Sequence, residues 1–413
     1  MNADKKTKTP TEAPIEATGP LKGLRVIEMG QLLAGPFCGQ MMGDFGAEVI
    51  KVEQPKVGDP MRGWGREKPH GLSLWWPVIA RNKKSVTLNL REKAGSDILK
   101  QLVAKADILI ENFRPGTMEK WGLGYDVLQK INPGLIMVRV SGFGQDGPYS
   151  SRPGYGAIGE AMGGMRYVVG DPSSPPSRMG ISIGDQLAAS FACMGALAAL
   201  HHKDKTGEGQ VIDSAIYEAV LAMMESLITE YVEADYIRER SGAILPNVAP
   251  SNIYPTKDGQ MVLIAANQDT VFTRLASAMG QAELASDDRY ATHGARGENQ
   301  TELDILVGEW TSTLDAGDLM AELDKFGIPQ GKIYRAPDML DDPHFKARAA
   351  IIKVAHPQFK NLQMQNVAPK FSKTPGKVRW TGPELGQHND EIYSGLLGMS
   401  DKVIRKLLDS KII

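Results

Sequence analysis

One carboxylate, Asp185, heads an otherwise apolar run of small residues, MGISIGDQLAASFACMGALAALHH (179–202). An acid at the head of a helical run has an ordinary use. Its oxygens accept backbone N–H groups that the first helical turn leaves unpaired. On these residues alone, Asp185 reads as a helix cap. A second candidate is Gly142-Phe143-Gly144-Gln145-Asp146-Gly147, which spells G-x-G-x-x-G after a strand-like run. A dinucleotide fingerprint should next open a helix and meet an acid about 20 residues on. Pro148, Tyr149, Ser150, Ser151, Arg152 and Pro153 follow instead, which is loop chemistry. The glycines are therefore read as allowing close backbone approach or tight turning.

Arg81-Asn82-Lys83-Lys84 is a basic cluster ahead of a strand. It reads first as a solvated loop and second as a grip on phosphates, which Lys and Arg bind by charge. The same choice applies to Arg91, Arg114 and Lys120. None of the seven histidines falls in an H-E-x-x-H or Cys/His pattern, so no catalytic metal is expected. His201 and His202 are expected to end a helix, where a cation suits the dipole. Cys38 and Cys193 lie far apart in apolar stretches, without disulfide or metal-ligand spacing.

The elements that must position these residues alternate. LRVIEM (24–29), AEVIKVE (47–53), SVTLNL (85–90), DILIENF (107–113) and LIMVRVSGF (135–143) read as strands. GPFCGQMMGDFG (35–46), 91–106 and 124–132 read as the helices between them. Alternation of this kind predicts an α/β fold, a parallel sheet covered by helices on both faces. Ligands of such sheets bind at the carboxyl ends of the strands. Those ends hold Gln31 to Ala34, Glu53 and Gln54, Asn89 to Arg91, Glu111 to Arg114, and Ser141 and Gly142. A helix is expected from Asp185 to Leu200, and a long one over 210–237. After residue 240 the texture changes. NIYPTKDGQMVLIAA (252–266) predicts a hairpin turning at Lys257-Asp258-Gly259, with helices following it. The expected plan is a tail over 1–20, a large domain from 21–239 and 336–413, and a smaller α+β domain over 240–335.

Composition sets wider bounds. A chain of 413 residues predicts two domains. A net charge of −2 gives no basic excess for a nucleic-acid partner. Two scattered cysteines suit a reducing, cytoplasmic setting. Residues 1–20 are polar and lack a secretory core, so a disordered tail is expected. No run of roughly 18 apolar residues is apparent, so no membrane span is expected.

Six stretches together resemble the family III CoA-transferases, the formyl-CoA transferase-like group. They are 32–55, 81–90, ADILIENFRPG (106–116), 122–148, IGDQLAASFACMGALAAL (183–200) and ELGQHND (384–390). The resemblance implies a Rossmann-like large domain built from both chain ends, a small domain, and two interlocked chains in a homodimer. It implies that Asp185 is the nucleophile, with Gly184 beside it admitting a bulky thioester. By alignment it places CoA contacts at Leu33, Ala34, Leu88, Arg91, Asn112, Phe113, Arg114 and Lys120, most of which fall in the strand-end set. Tyr155 is expected to hydrogen-bond substrate. CoA thioesters would be substrates, with no prosthetic group.

The resemblance also has departures. Where formyl-CoA transferase has Gln in the first turn, this chain has Leu33; its Arg after the second strand is Gln54. Its Lys ahead of the active-site tyrosine is Pro153, with Arg152 next door. These changes argue against formate and oxalate. An α-methylacyl-CoA racemase is the rival on the same fold, but its members carry His where Tyr155 stands, and tyrosine is a poor base near neutral pH. A non-catalytic CoA-binding protein would have no use for Asp185. The pattern looks most like the succinyl-CoA-dependent dicarboxylate branch. A second substrate carboxylate needs a cation, for which Arg62, Arg66, Arg152 and Arg178 are candidates.

Overall fold

The computed structural model describes residues 18–413, so most of the expected tail lies outside the described residues. The chain divides into two units. The first takes residues up to Gly164, Ile181–Glu225 and Ala347–Ile413; the second takes Met165–Gly180 and Ser226–Lys346. The second unit therefore starts earlier and ends later than the expected 240–335, and it gains the Pro/Ser-rich stretch 165–180.

The first unit is a six-stranded sheet, every neighbouring pair parallel. Its strands are β1 (Arg25–Glu28), β2 (Glu48–Glu53), β3 (Lys83–Thr87), β4 (Ile108–Glu111), β5 (Ile136–Ser141) and β6 (Val211–Ala215). Their order is β3-β2-β1-β4-β5-β6. RVIE, EVIKVE, ILIE and IMVRVS are rich in β-branched residues and almost wholly buried, as strands covered on both faces must be. One face carries α2 (Lys93–Val103) and α3 (Tyr125–Ile131) over a core of Ile27, Ile50, Val86, Leu109 and Met137. Ile404, Ile412 and Ile413 join that core, so the two chain ends build one unit.

α1 (Ala34–Asp44) packs against β1, β2 and β4. α4 (Gly156–Met162), α5 (Ile183–Thr206) and α6 (Ile216–Leu221) pack on one another, and α5 also lies on β5, β6 and α1. The inner face of α5 is Ala188, Ala189, Ala192, Cys193, Ala196 and Ala199, small enough for helices to approach closely. There the two distant cysteines meet. The Cys38 thiol is hydrogen-bonded to Cys193, and that bond together with burial pushes it well up.

Four expectations need correction. The long helix over 210–237 does not form. Val211 and Ile212 pair with Met137 and Val138 as β6, and the helical residues after them split into α6 and Leu227–Ala234. The third strand begins at Lys83, because Lys83 and Lys84 stand in register with Val49 and Ile50. The basic cluster is neither a solvated loop nor open to a phosphate, since Arg81, Asn82 and Lys83 are buried. Finally, α5 does have the length and apolarity to cross a membrane. Within this unit its alanine face is packed against other elements, which is also how a core helix reads.

The second unit is a three-stranded antiparallel sheet with helices. β7 (Ser251–Pro255) and β8 (Met261–Ala265) form the expected hairpin, and β9 (Gln330–Lys332) pairs with β8. Gly259 takes φ +73° in the turn, a conformation that suits glycine. Helices Asp269–Ala278, Gln300–Thr311 and Ala316–Lys325 close its core around Phe272, Leu303 and Leu319.

Candidate active site

The chain winds outward from β1 through β2 to β3, then restarts at β4 on the other side of β1. The order reverses between β1 and β4, and ligands of such sheets sit at the carboxyl ends beside that reversal. Leu33 and Ala34 follow β1; Asn112, Phe113 and Arg114 follow β4. Asn112 ties the two loops, its Oδ1 accepting the Gln31 N–H at 2.7 Å and its Nδ2 donating to the Gln31 carbonyl at 2.9 Å. Phe113 stands edge-on to Trp121 with ring centroids 5.2 Å apart. Arg114 and Lys120 are exposed, Lys120 at the end of the short helix Thr117–Lys120. Leu33 packs into a small cluster with Met61, Trp76 and Ile79. Leu88 and Arg91 lie past β3, two strands from the reversal, and the Leu88 side chain belongs to the main core. The fold thus gathers Leu33, Ala34, Asn112, Phe113 and Arg114 and leaves Leu88 and Arg91 towards the sheet edge.

A buried charge network lies beneath the β1 loop. Lys51 Nζ donates to Glu28 at 3.0 Å, to Asp59 at 2.8 Å and to the Gly30 carbonyl. Lys83 Nζ donates to Glu28 at 3.0 Å and to the Pro36 carbonyl at 2.6 Å. Asp59 in turn accepts the Leu32 N–H at 3.1 Å. Burial disfavours the Lys51 charge, but Asp59 and Glu28 outweigh it and hold its pKa above the ordinary lysine value. Lys83, with less compensation for the same burial, is pushed down. These bonds secure Leu32 at φ +64°, a strained conformation for a leucine, directly before Leu33. Arg62 is committed as well, donating to both Glu53 oxygens at 2.8 Å and lying 3.8 Å over Trp76.

Asp185 is not the cap. Ser182 holds the N-cap position of α5 without a side-chain cap hydrogen bond, and Asp185 lies within the first turn, half-buried. Its position follows from β5. Gly142, just after that strand, approaches Gly154 so closely that a Cβ on it would lie 2.8 Å from the Gly154 Cα. The chain then reaches Tyr155, which is 68% exposed, and Gly156. A Cβ on Gly156 would lie 2.3 Å from Asp185 Oδ2. The carboxylate is thereby set beside the carboxyl end of β5, the strand next to β4. Negative charge in a first helical turn is favoured by the helix dipole.

Sequence reasoning missed three things here. Glu160 is a buried acid whose Oε1 accepts the Gly184 N–H at 3.3 Å. A lone acid among the glycines of GYGAIGEAMGG (154–164) was its available signal. A Cβ on Gly184 would meet Glu160 Cγ and the Gly156 carbonyl, both at 3.0 Å, so this glycine makes room for the protein itself and not for a thioester. Gly180, Ser182 and Gly184 also fit G-x-S-x-G. A nucleophile elbow needs a strand running into its serine, and residues 170–182 contain none.

A Rossmann-ordered parallel α/β sheet with its polar strand ends gathered beside the β1/β4 reversal defines a class: an α/β protein with a ligand crevice at its carboxyl edge, beside which the Asp185 carboxylate stands. The chain belongs to CoA-transferase family III, whose family model matches residues 21–389, and it is a CoA-transferase. It is 59% identical over 394 residues to a succinyl-CoA–D-citramalate CoA-transferase of Chloroflexus aurantiacus, covering 95% of this chain and 98% of that one. It is 33% identical to a succinate–glutarate CoA-transferase of Agrobacterium fabrum, covering 91% and 96%. The crystal structure of a CAIB/BAIF family protein from Brucella suis matches with a TM-score of 0.81 at 35% identity, covering 92% of this chain and all of that one.

Proposed function

We propose that this enzyme moves CoA from succinyl-CoA to a small dicarboxylic acid through a thioester on Asp185. The carrying observation is the Asp185 carboxylate, held against Gly156 at the head of α5. Its Oδ atom attacks the thioester carbonyl of the donor. The C–S bond breaks, CoA leaves as thiolate, and an aspartyl-succinyl anhydride remains. The thiolate attacks Asp185 Cγ, the C–O bond breaks, and succinate departs, leaving aspartyl-CoA. The acceptor carboxylate then attacks Cγ and the steps run in reverse, regenerating the Asp185 carboxylate. Each intermediate retains an activated acyl group, so transfer between acids needs no other energy source.

The strand-end residues around the β1/β4 reversal support a CoA site, with the exposed Arg114 and Lys120 available to its phosphates. The 59% identity to a succinyl-CoA–D-citramalate CoA-transferase supports D-citramalate as the first acceptor to try. For the second carboxylate, Arg62 is spent on Glu53, and Arg66 is a fully solvated side chain paired with Glu67. Arg152, stacked 3.8 Å over Tyr149 and three residues before Tyr155, is the cation this reading uses. The working form in this reading is a homodimer. Exposed Ile158 and Met162 on α4 and Met194 and Leu197 on α5 give a second copy an apolar face to cover.

The test is to incubate the protein with succinyl-CoA and hydroxylamine and map the product by mass spectrometry. A hydroxamate on Asp185 is expected. D185N should lose at least about 10³-fold in kcat, as removal of a covalent nucleophile does, while S182A should stay active. CoA transfer that continues with Asp185 unmodified, or at an undiminished rate in D185N, would overturn the reading.

A further inference from the structure

We infer that Glu160 is a positioning residue for Asp185, holding the head of α5 by accepting the Gly184 N–H. This rests on Asp185 being the nucleophile. α4 is seated almost backbone to backbone on its neighbours. A Cβ on Gly159 would lie 2.4 Å from Ile216 Cγ2, and one on Gly163 would lie 2.6 Å from Val220 Cγ1. That close seating on α6 brings Glu160 to the start of α5. There Glu160 is 2% exposed, with Oε1 3.3 Å from the Gly184 nitrogen.

A buried glutamate is rare without a role, because its polar head must be satisfied inside the protein. The Gly184 N–H is one of the amides a helix cannot satisfy within itself, and the Ser182 side chain makes no cap hydrogen bond. Glu160 therefore supplies from another helix the acceptor that α5 lacks. The amide it holds belongs to the residue before Asp185, so the bond sets the backbone from which the reacting carboxylate projects. A misplacement of about 1 Å at a reacting group can cost about 10²-fold in rate. Glu160 acts through Gly184 and needs no contact with substrate.

The experiment compares E160A, E160D and E160Q with D185N, using kcat, KM for succinyl-CoA and the rate of hydroxamate formation on Asp185. E160A and E160D withdraw the acceptor. Each should lose about tenfold or more in kcat and in trapping rate, with KM within about twofold. E160Q keeps an acceptor oxygen and should return to within about threefold of the native rate. If E160A fails to fold, the contrast between E160D and E160Q decides. Native turnover by E160D, or an E160Q as impaired as E160D, overturns the inference. An active D185N overturns the nucleophile as well. An inactive D185N with an unimpaired E160D overturns the role of Glu160 alone.

Discussion

Asp185 and Gly156 constrain each other. The glycine's missing side chain is the space in which Oδ2 lies. Gly156 is the first residue of α4, where alanine is accepted as readily as glycine, and the atom alanine would strike is the far end of a movable side chain. Folding should tolerate the change, and catalysis should not. G156A is expected to keep its thermal midpoint while kcat falls about tenfold or more, because the carboxylate must turn away from the position the proposed route requires. Calorimetry and steady-state kinetics on one preparation check this. Unchanged kcat with unchanged stability would place the reactive carboxylate elsewhere.

At the scale of elements, the strand ends are held by charge where loops would otherwise wander. The C-terminal segment ELGQHND does related work for β3. His388 Nδ1 accepts the Ser85 N–H at 3.1 Å and Asn389 Oδ1 accepts the Thr87 N–H at 2.9 Å, so the outer edge of β3 is covered. At the end of β4, Glu111 accepts the Phe113 N–H at 2.7 Å and pairs with Arg139 at 2.8 Å. Burial outweighs that pairing and pushes Glu111 from 4.5 up to about 7. Between these values the folded protein holds a proton that the unfolded chain has released. Stability from this group therefore falls as pH rises across that window, and the cost is complete above about pH 7. E111Q, which cannot ionise, should gain on the native protein by up to about 3 kcal/mol between pH 4.5 and 8. Denaturant titrations at the two pH values measure the difference, and a constant gap would contradict it.

For the whole molecule, the first unit depends on distant parts of the chain. Asn89 donates its N–H to the Ile412 carbonyl at 2.7 Å, and Ile412 and Ile413 are in the sheet's core. The same unit presents Met194 at 59% and Leu197 at 38% exposure on α5, whose opposite face is packed alanine. Apolar side chains grouped on one helix face are expected to be covered by a second copy. Light scattering should give twice the 44.9 kDa chain mass. The double substitution M194E/L197E should give the single mass, since burying two carboxylates without partners is too costly to retain the contact. A native protein of single mass would rule out the homodimer.

The alternation of apolar strands with helices is a local property, and it determined the parallel α/β plan without reference to any contact. Strand ends follow from it, which is why Leu33, Ala34, Asn112, Phe113 and Arg114 were legible as a group. The lone acid before a small-residue helix was visible too, although resemblance rather than spacing marked Asp185 as reactive. Tertiary structure alone decided the rest. Val211–Ala215 is a strand because β5 offers it a pairing edge, whatever helical pattern follows. Arg81 and Lys83 are internal, and Arg62 is half-buried, because Asp44, Glu28 and Glu53 wait for them across strands and loops. Gly156 and Glu160 matter because helix packing brings them to the Asp185 turn from outside its own helix. Charge pairing and close packing depend on which distant residues meet in space, and a one-dimensional pattern carries only the periodicity of each segment.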